Sequence, residues 1–418
     1  MSIDAPHPQL LRGLQLKQLG RYADAESAFR EALAHEPNDA FALHQLATCE
    51  WQLPGRHRDA LQTIQQAIAI EPNEPEHHVL RAFILCVLDR PQEALAAART
   101  ALGFDPNNSA AFAAEAQAHL QMEKWALAEQ SARQALALDA DNSAAANQLA
   151  QALRLQNKQT ENATHLAGML ARDPENAFTH ANAGWAALQR GEHREAETHF
   201  REALRLDPDF EYARDGLLNS FRARSPIYRA YLKYTFAMQR LSRGARWAVI
   251  LGLYFGVKIA RFIPGGVVLV ALYFLFVLWV WVARPVGNFL LLFDSFAKFA
   301  LRPREKTEAA VVGGGLLLGI FAVIASLGFD LPIVRLAGIG LIASAFPLSL
   351  TFTNASRAGS WLFGLIGGAA LLTTLLVVTE EWLPIVAPIT VVDIFTGACI
   401  GCLASTWLGN IPALHKRG

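Results

Sequence analysis

The chain has 418 residues, 37 basic and 37 acidic side chains, and a hydrophobic fraction of 52%. That length allows two or three domains, and that hydrophobic fraction is high for a soluble protein, so part of the chain is expected in lipid. The zero net charge hides a split, because residues 1–218 hold 30 acidic and 19 basic side chains whereas residues 219–418 hold 7 and 18.

The four cysteines, Cys49, Cys86, Cys399 and Cys402, are too few and too scattered for a disulfide framework. The start of the chain, Met1 to Leu11, is short, polar and proline-containing. It lacks the basic stretch and apolar core of a secretory signal, so no such signal is expected.

From residue 6 to about 223 one short pattern returns. Tyr22, Ala25, Phe29, Ala32 and Pro37 come back as His193, Ala196, Phe200, Ala203 and Pro208. The closing proline falls at 37, 72, 106, 174 and 208, with Ala140 in the slot where it is missing, so the steps are 35 residues once and 34 thereafter. Small residues recur where two helices of a hairpin must approach: Gly13, Ala82, Ala116, Ala150 and Gly184 in the first helix, and Ala25, Ala60, Ala94, Ala128 and Ala196 in the second. Gly20, Gly55 and Gly191 suit the turn between them. A period of 34 marks a helix-turn-helix array, and on these residues the segment resembles the tetratricopeptide repeat superfamily. The fifth unit departs most, with Asn162, Leu166 and Met169 in the small or aromatic slots.

The resemblance implies an α-solenoid of about six repeats and a capping helix, with the first helices lining a groove that takes an extended peptide or a helix. Carried over, the groove positions are Gln45, Gln52, Phe83, Gln117, Asn147, Gln151, Arg154, Phe178, Asn182 and Trp185, with Cys49 and Val79 beside them. The lysine-rich clamp by which some members of the superfamily hold a C-terminal carboxylate is not expected, since Leu10, Gln45, Val79, Ala113, Asn147 and Ala181 stand where its first lysine belongs.

Ser225–Pro226 ends the capping helix. Residues 226–246 then read as a basic amphipathic helix, with Arg229, Lys233, Arg240 and Arg243 on its polar side and Ile227, Tyr231, Tyr234, Met238 and Leu241 opposite, a pattern that suits a membrane interface. From 247 to about 410 the chain reads as a transmembrane helical domain. Six stretches approach the roughly 20 apolar residues that a span needs: 245–262, 265–284, 309–328, 332–352, 359–379 and 385–408. A further amphipathic piece is expected at 288–301. Glycine pairs four apart, Gly252/Gly256, Gly315/Gly319, Gly364/Gly368 and Gly397/Gly401, are expected to bring spans close together. Lys258, Arg335 and Asp393 lie within spans and are candidates for an intramembrane polar cluster. Basic residues fall so that both termini and the array face the cytoplasm of a bacterial inner membrane.

No enzyme is expected. There is no phosphate loop of the G-x-x-x-x-G-K type, and no histidine occurs between His199 and His415 to serve a metal or a serine nucleophile in the apolar half. The C-x-x-C at Cys399 and Cys402 sits in an apolar helix, where cysteine packs as a small hydrophobe. No cofactor, metal or nucleic acid is expected. The reading is an all-α membrane scaffold that holds a protein or peptide partner, with self-association left open; the alternative is a transport or channel-like component that carries a regulatory repeat domain.

Overall fold

The computed structural model describes residues 7–260, 262, 265–295, 297–329, 331–354, 356–380 and 393–402. They divide into two compact units, 1–186 with 239–245 and 187–238 with 246–418. Among the described residues the secondary structure is entirely helical.

Ten helices form five hairpins: α1 (Pro8–Gln18) with α2 (Tyr22–His35), α3 (Ala40–Gln52) with α4 (His57–Ile70), α5 (Pro75–Val87) with α6 (Pro91–Phe104), α7 (Ser109–Gln121) with α8 (Trp125–Leu138), and α9 (Ser143–Leu155) with α10 (Gln159–Arg172); α11 (Ala177–Arg190) and α12 (His193–Leu206) follow in the chain. Their starts are set locally. Two residues after the proline slot, Asp39, Asn108, Asn142 and Asn176 each accept a hydrogen bond from the backbone N–H three residues on, at 2.8–3.0 Å, which satisfies a donor the first turn leaves open. Within each hairpin the small slots are filled to contact. Ala25, Ala60, Ala94, Ala128 and Ala196 are all fully buried, and a Cβ on Gly13 would lie 2.6 Å from the Phe29 ring.

The turn between the two helices is left-handed in every repeat. Gly20, Gly55 and Gly191 have φ of 71°, 82° and 89°, and Asp89, Glu123 and Asn157 occupy the same slot at 58°, 60° and 62°. Around Glu123 the chain closes as a helix-ending motif, with Glu123 N–H donating to Leu120 O and Lys124 N–H to His119 O. The turn is therefore demanded by the repeat, and the three non-glycine residues bear its steric cost.

In the second unit α12 packs on α13 (Glu211–Arg222), with Phe200 fully buried against Gly216. Then come α14 (Pro226–Arg240), α15 (Arg243–Ala260) and α16 (Gly266–Leu292), which runs through Pro285. After a 3₁₀ turn at Ala297–Phe299, α17 (Pro303–Glu308) continues through a π-helical turn at Ala309–Gly313 into α18 (Gly314–Phe329). The last helices are α19 (Pro332–Thr353), α20 (Arg357–Glu380) and α21 (Asp393–Cys402). Among the described residues three helical runs are long and apolar enough to cross a membrane: Pro303–Phe329, Pro332–Thr353 and Arg357–Thr379. The expected first span is the 18-residue α15, which carries Arg246 and Lys258. Most of the expected stretch 385–408 lies outside the described residues.

Three expectations are corrected here. Among the described residues no separate amphipathic helix occupies 288–301: α16 continues to Leu292, and of the described residues beyond it only three are helical before 303, while Asn288 is fully buried rather than at a surface. In α14 the inward face is Tyr228, Leu232 and Phe236, one residue round from the expected stripe, while Ile227 is 67% exposed. The rings of Tyr231 and Tyr234 instead lie edge-on to Trp279 and Phe276 of α16. Of the glycine pairs, only Gly319 meets a neighbouring helix closely: its Cβ would lie 2.9 Å from Gly338 O, whereas nothing stands within 4 Å of Gly252, Gly256, Gly315, Gly368, Gly397 or Gly401.

Two substitutions test the repeat logic. Glu123→Gly removes the left-handed cost and is expected to stabilise the array by about 1 kcal/mol. The fifth repeat buries Asn162 to 3% exposure, and its Oδ1 has no hydrogen-bond partner. Asn162→Ala restores the small residue of the other repeats and is expected to add about 1 kcal/mol. Thermal unfolding followed by far-ultraviolet circular dichroism checks both, and a lowered midpoint in either contradicts the corresponding account.

Candidate partner-binding face

In the first unit α1, α3, α5, α7 and α9 pack side by side in that order, each on the first helix of the neighbouring repeat. Their outer residues therefore form one continuous face. One row runs Thr48, Phe83, Gln117, Gln151 and Trp185, with Phe83, Gln117, Gln151 and Trp185 half-buried. The Phe83 ring stacks on Trp51 at 5.9 Å, a contact between neighbouring repeats. A second row opens with Phe41 and returns at Phe178, which are 50% and 57% exposed. Large apolar side chains left in solvent beside amides offer a surface for another polypeptide.

The expected groove residues divide into two groups. Gln52, Phe83, Gln117, Asn147, Gln151, Phe178 and Trp185 are exposed or half-buried. Gln45, Arg154 and Asn182 are instead buried, at 8%, 8% and 7% exposure, as are Cys49 and Val79. Amides of this buried row join repeats to each other. Asn182 Nδ2 donates to Asn147 Oδ1 at 2.9 Å, Gln148 Nε2 to Gln117 Oε1 at 3.5 Å, and Lys17 Nζ to Gln45 Oε1. Gln45 is displaced by the single 35-residue step: the extra residue falls after Ala47, so the residue in the slot of Val79 and Asn147 is His44, which is half-buried. Trp51 and Phe41 escaped the sequence reading although both lie in slots whose later members, Arg154 and Phe178, were marked.

His44 and His77 meet across two repeats, with their Nδ1 atoms 3.0 Å apart and one ring donating to the other. Burial, then the neighbouring His77 and Lys17, push His44 down to about 4. Burial also lowers His77, against the pull of Glu71 and Glu74. Both imidazoles are thus neutral at pH 7. The thiols of Cys49 and Cys86 are pushed up by burial, to about 11 and about 12, so neither is a reactive thiolate. Among the described residues no group of three or more histidine, cysteine, aspartate or glutamate side chains could hold a metal.

Of the other expected site residues, Lys233 is exposed, and Arg229 and Arg240 are half-buried; Arg243 opens α15. Lys258 lies over the Tyr254 ring at 5.2 Å, Arg335 is half-buried and Asp393 is exposed. Among the described residues no ion pair joins these last three.

Stacked helical hairpins that bury their apolar faces against the next pair define an α-solenoid. Residues 16–83, 113–177 and 177–210 each match a tetratricopeptide repeat model. The N-terminal half of the chain belongs to the tetratricopeptide repeat superfamily. Solved structures similar to it include PilW, a type IV pilus biogenesis factor (20% identity over 50% of this chain and 96% of that one, TM-score 0.43). Others are TTC0263, a repeat protein of Thermus thermophilus (22%, 52% and 98%, TM-score 0.35), and YrrB, a repeat protein with an unusual peptide-binding site (20%, 44% and 95%, TM-score 0.32). No curated protein matches the chain.

The histidine pair gives this face a pH dependence. A histidine whose folded pKa is lowered binds its proton more readily when unfolded, so stability falls as pH drops from about 6.5 towards about 4. The expected loss is on the order of 1–3 kcal/mol. Hydrogen-exchange protection of the α3 and α5 amides, corrected for intrinsic rate, should fall over that window, and His44→Gln should flatten the fall. An unchanged slope in the variant would remove His44 as the cause.

Proposed function

We propose that the chain is a membrane-anchored adaptor: the array holds a protein or peptide on the face of its first helices, and the apolar helices keep that complex at a membrane. The observation that carries the reading is the conjunction of exposed Phe41 and Phe178 on that face with three helical runs of spanning length and composition in the same chain. Six repeats exceed the three or so that a stable array needs, and the amides of Gln52, Gln117 and Gln151 can bond a peptide backbone while aromatics take its side chains.

The distribution of basic residues supports a cytoplasmic array and a bacterial inner membrane. Lys298, Arg302, Arg304 and Lys306 precede the run Pro303–Phe329 or open it, and Arg357 opens α20, as expected for connections retained on the cytoplasmic side. The transport alternative gains no support from Lys258, Arg335 and Asp393. Catalysis has no constellation to support it among the described residues.

The test places a photo-crosslinking residue at Phe41, Phe178 or, as a control on a second helix, Phe104 in the full chain within its native membrane. Crosslinks to one and the same polypeptide from 41 and 178 but not from 104 are expected. Combining Phe41→Ala with Phe178→Ala should lower the membrane-bound fraction of that polypeptide at least five-fold, while a foreign anchor in place of residues 247–418 preserves recruitment. Equal crosslinking from 104, or dependence of recruitment on the particular helices 247–418, would defeat the adaptor reading.

A further inference from the structure

The second unit contains a cavity of about 400 Å³ lined by a few charged side chains and a larger apolar set. Its charged lining residues are Arg222, Arg224 and Asp294, the last two bonded to each other, and its apolar lining includes Val286, Leu290, Leu316, Leu317, Ile320 and Trp279. We propose that this cavity holds one anionic phospholipid, the phosphate at the two arginines and an acyl chain along α16 and α18. The inference rests on the membrane reading given above.

Three observations support it. Arg222 is only 6% exposed, and its hydrogen bonds run to neutral groups: Nε donates to Asn288 Oδ1 at 2.8 Å and Nη1 to Asn219 Oδ1 at 3.3 Å, and the guanidinium also meets Tyr228, whose ring lies 5.9 Å away. Glu305 and Glu308 lie within electrostatic reach of it. A guanidinium held by neutral partners keeps its affinity for a phosphate, which it binds through charge-assisted hydrogen bonds. Arg224, by contrast, donates to Asp294 Oδ2 at 2.8 Å and to Glu197 Oε2 at 3.0 Å. A phosphate at the two arginines therefore competes with Asp294 for Arg224.

The second observation is the make-up of the lining. Its two cationic groups, Arg222 and Arg224, belong to one short stretch of chain that also bonds Asp294, and apart from Ser225 and Tyr228 the other lining side chains are hydrocarbon or the Trp279 ring. That matches a headgroup joined to a chain, and does not match a free phosphate or a soluble metabolite. The third is position. Trp279 and Tyr228 flank the cavity where α16 leaves its apolar run and reaches Arg284, the depth at which aromatic rings mark a membrane interface. The geometry at Gly287 fits as well: a Cβ there would stand 3.2 Å from Arg222 Cδ, so glycine lets the arginine stem lie against α16 and keeps its head in the cavity.

The experiment uses the full chain, purified in detergent and delipidated, and counts one-to-one adducts by native mass spectrometry on titration with dioleoylphosphatidylglycerol, dioleoylphosphatidylcholine or inorganic phosphate. Phosphatidylglycerol should bind at least five-fold more tightly than phosphatidylcholine, and phosphate alone should give no adduct. Leu317→Trp, which fills the apolar part, and Arg224→Gln should each weaken phosphatidylglycerol at least three-fold, whereas Asp294→Asn should strengthen it. Circular dichroism confirms that each variant is folded. Equal binding of the two lipids, binding of phosphate alone, or indifference of phosphatidylglycerol to Leu317→Trp overturns the proposal. A full chain that is soluble and monomeric without detergent sinks the membrane reading as well; equal lipid binding by a detergent-requiring chain sinks only this inference.

Discussion

A stacked array can bury a hairpin only against the next one, so its last face needs either a polar surface or something to cover it. Here it is covered. The last array helix, α13, and the turn after it present Arg214, Arg222 and Arg224 to the helices that follow. Arg214 grips Glu305 through both guanidinium nitrogens at 3.0 and 3.1 Å and also reaches Ala300 O. Arg222 donates to Asn288, Arg224 bonds Asp294, and Arg302 pairs with Glu211. The Arg214–Glu305 pair is the strongest of these by geometry, being bidentate and largely buried on both sides. The capping helix is thereby built into the second unit.

Much of the array was legible because its signals are local. The period places each hairpin, the asparagine or aspartate after the proline slot places each helix start, and the small slots predict where alanine must be fully buried. What sequence could not give was the left-handed turn at Asp89, Glu123 and Asn157, since glycine marks that slot in only half of the repeats. The groove was harder because burial depends on a one-residue register. His44 and Gln45 differ by one position and point to different surroundings, and the single 35-residue step moves the frame at that place.

The apolar half was less legible, for a physical reason. When nearly every residue is hydrophobic, periodicity no longer says which face meets another helix, so packing is decided by shape. The glycine pairs four apart were a poor guide for this reason: Gly319 meets Gly338, and Gly340 and Gly367 pack under Thr374 and Leu348 instead. In α14 the aromatic residues misled in a similar way. A tyrosine is apolar along its ring and polar at its tip, so Tyr231 and Tyr234 can border a buried face whose centre is Tyr228, Leu232 and Phe236.

The charge split between the halves also takes on a more specific meaning. The excess of basic residues after 218 suggests attraction to an anionic surface, yet several of those residues are already committed in the fold. Arg222 and Arg224 bond α16 or the turn beyond it, and Arg302 pairs with Glu211. In the proposed membrane-anchored protein, orientation is set as the chain inserts, before such partners exist, so the whole excess counts there. Attraction of the folded protein to lipid depends only on side chains that remain in solvent, such as Lys233. On the proposed membrane reading the same arginines direct insertion first and join the capping helix to the helices after it later, and neither role can be inferred from net charge alone.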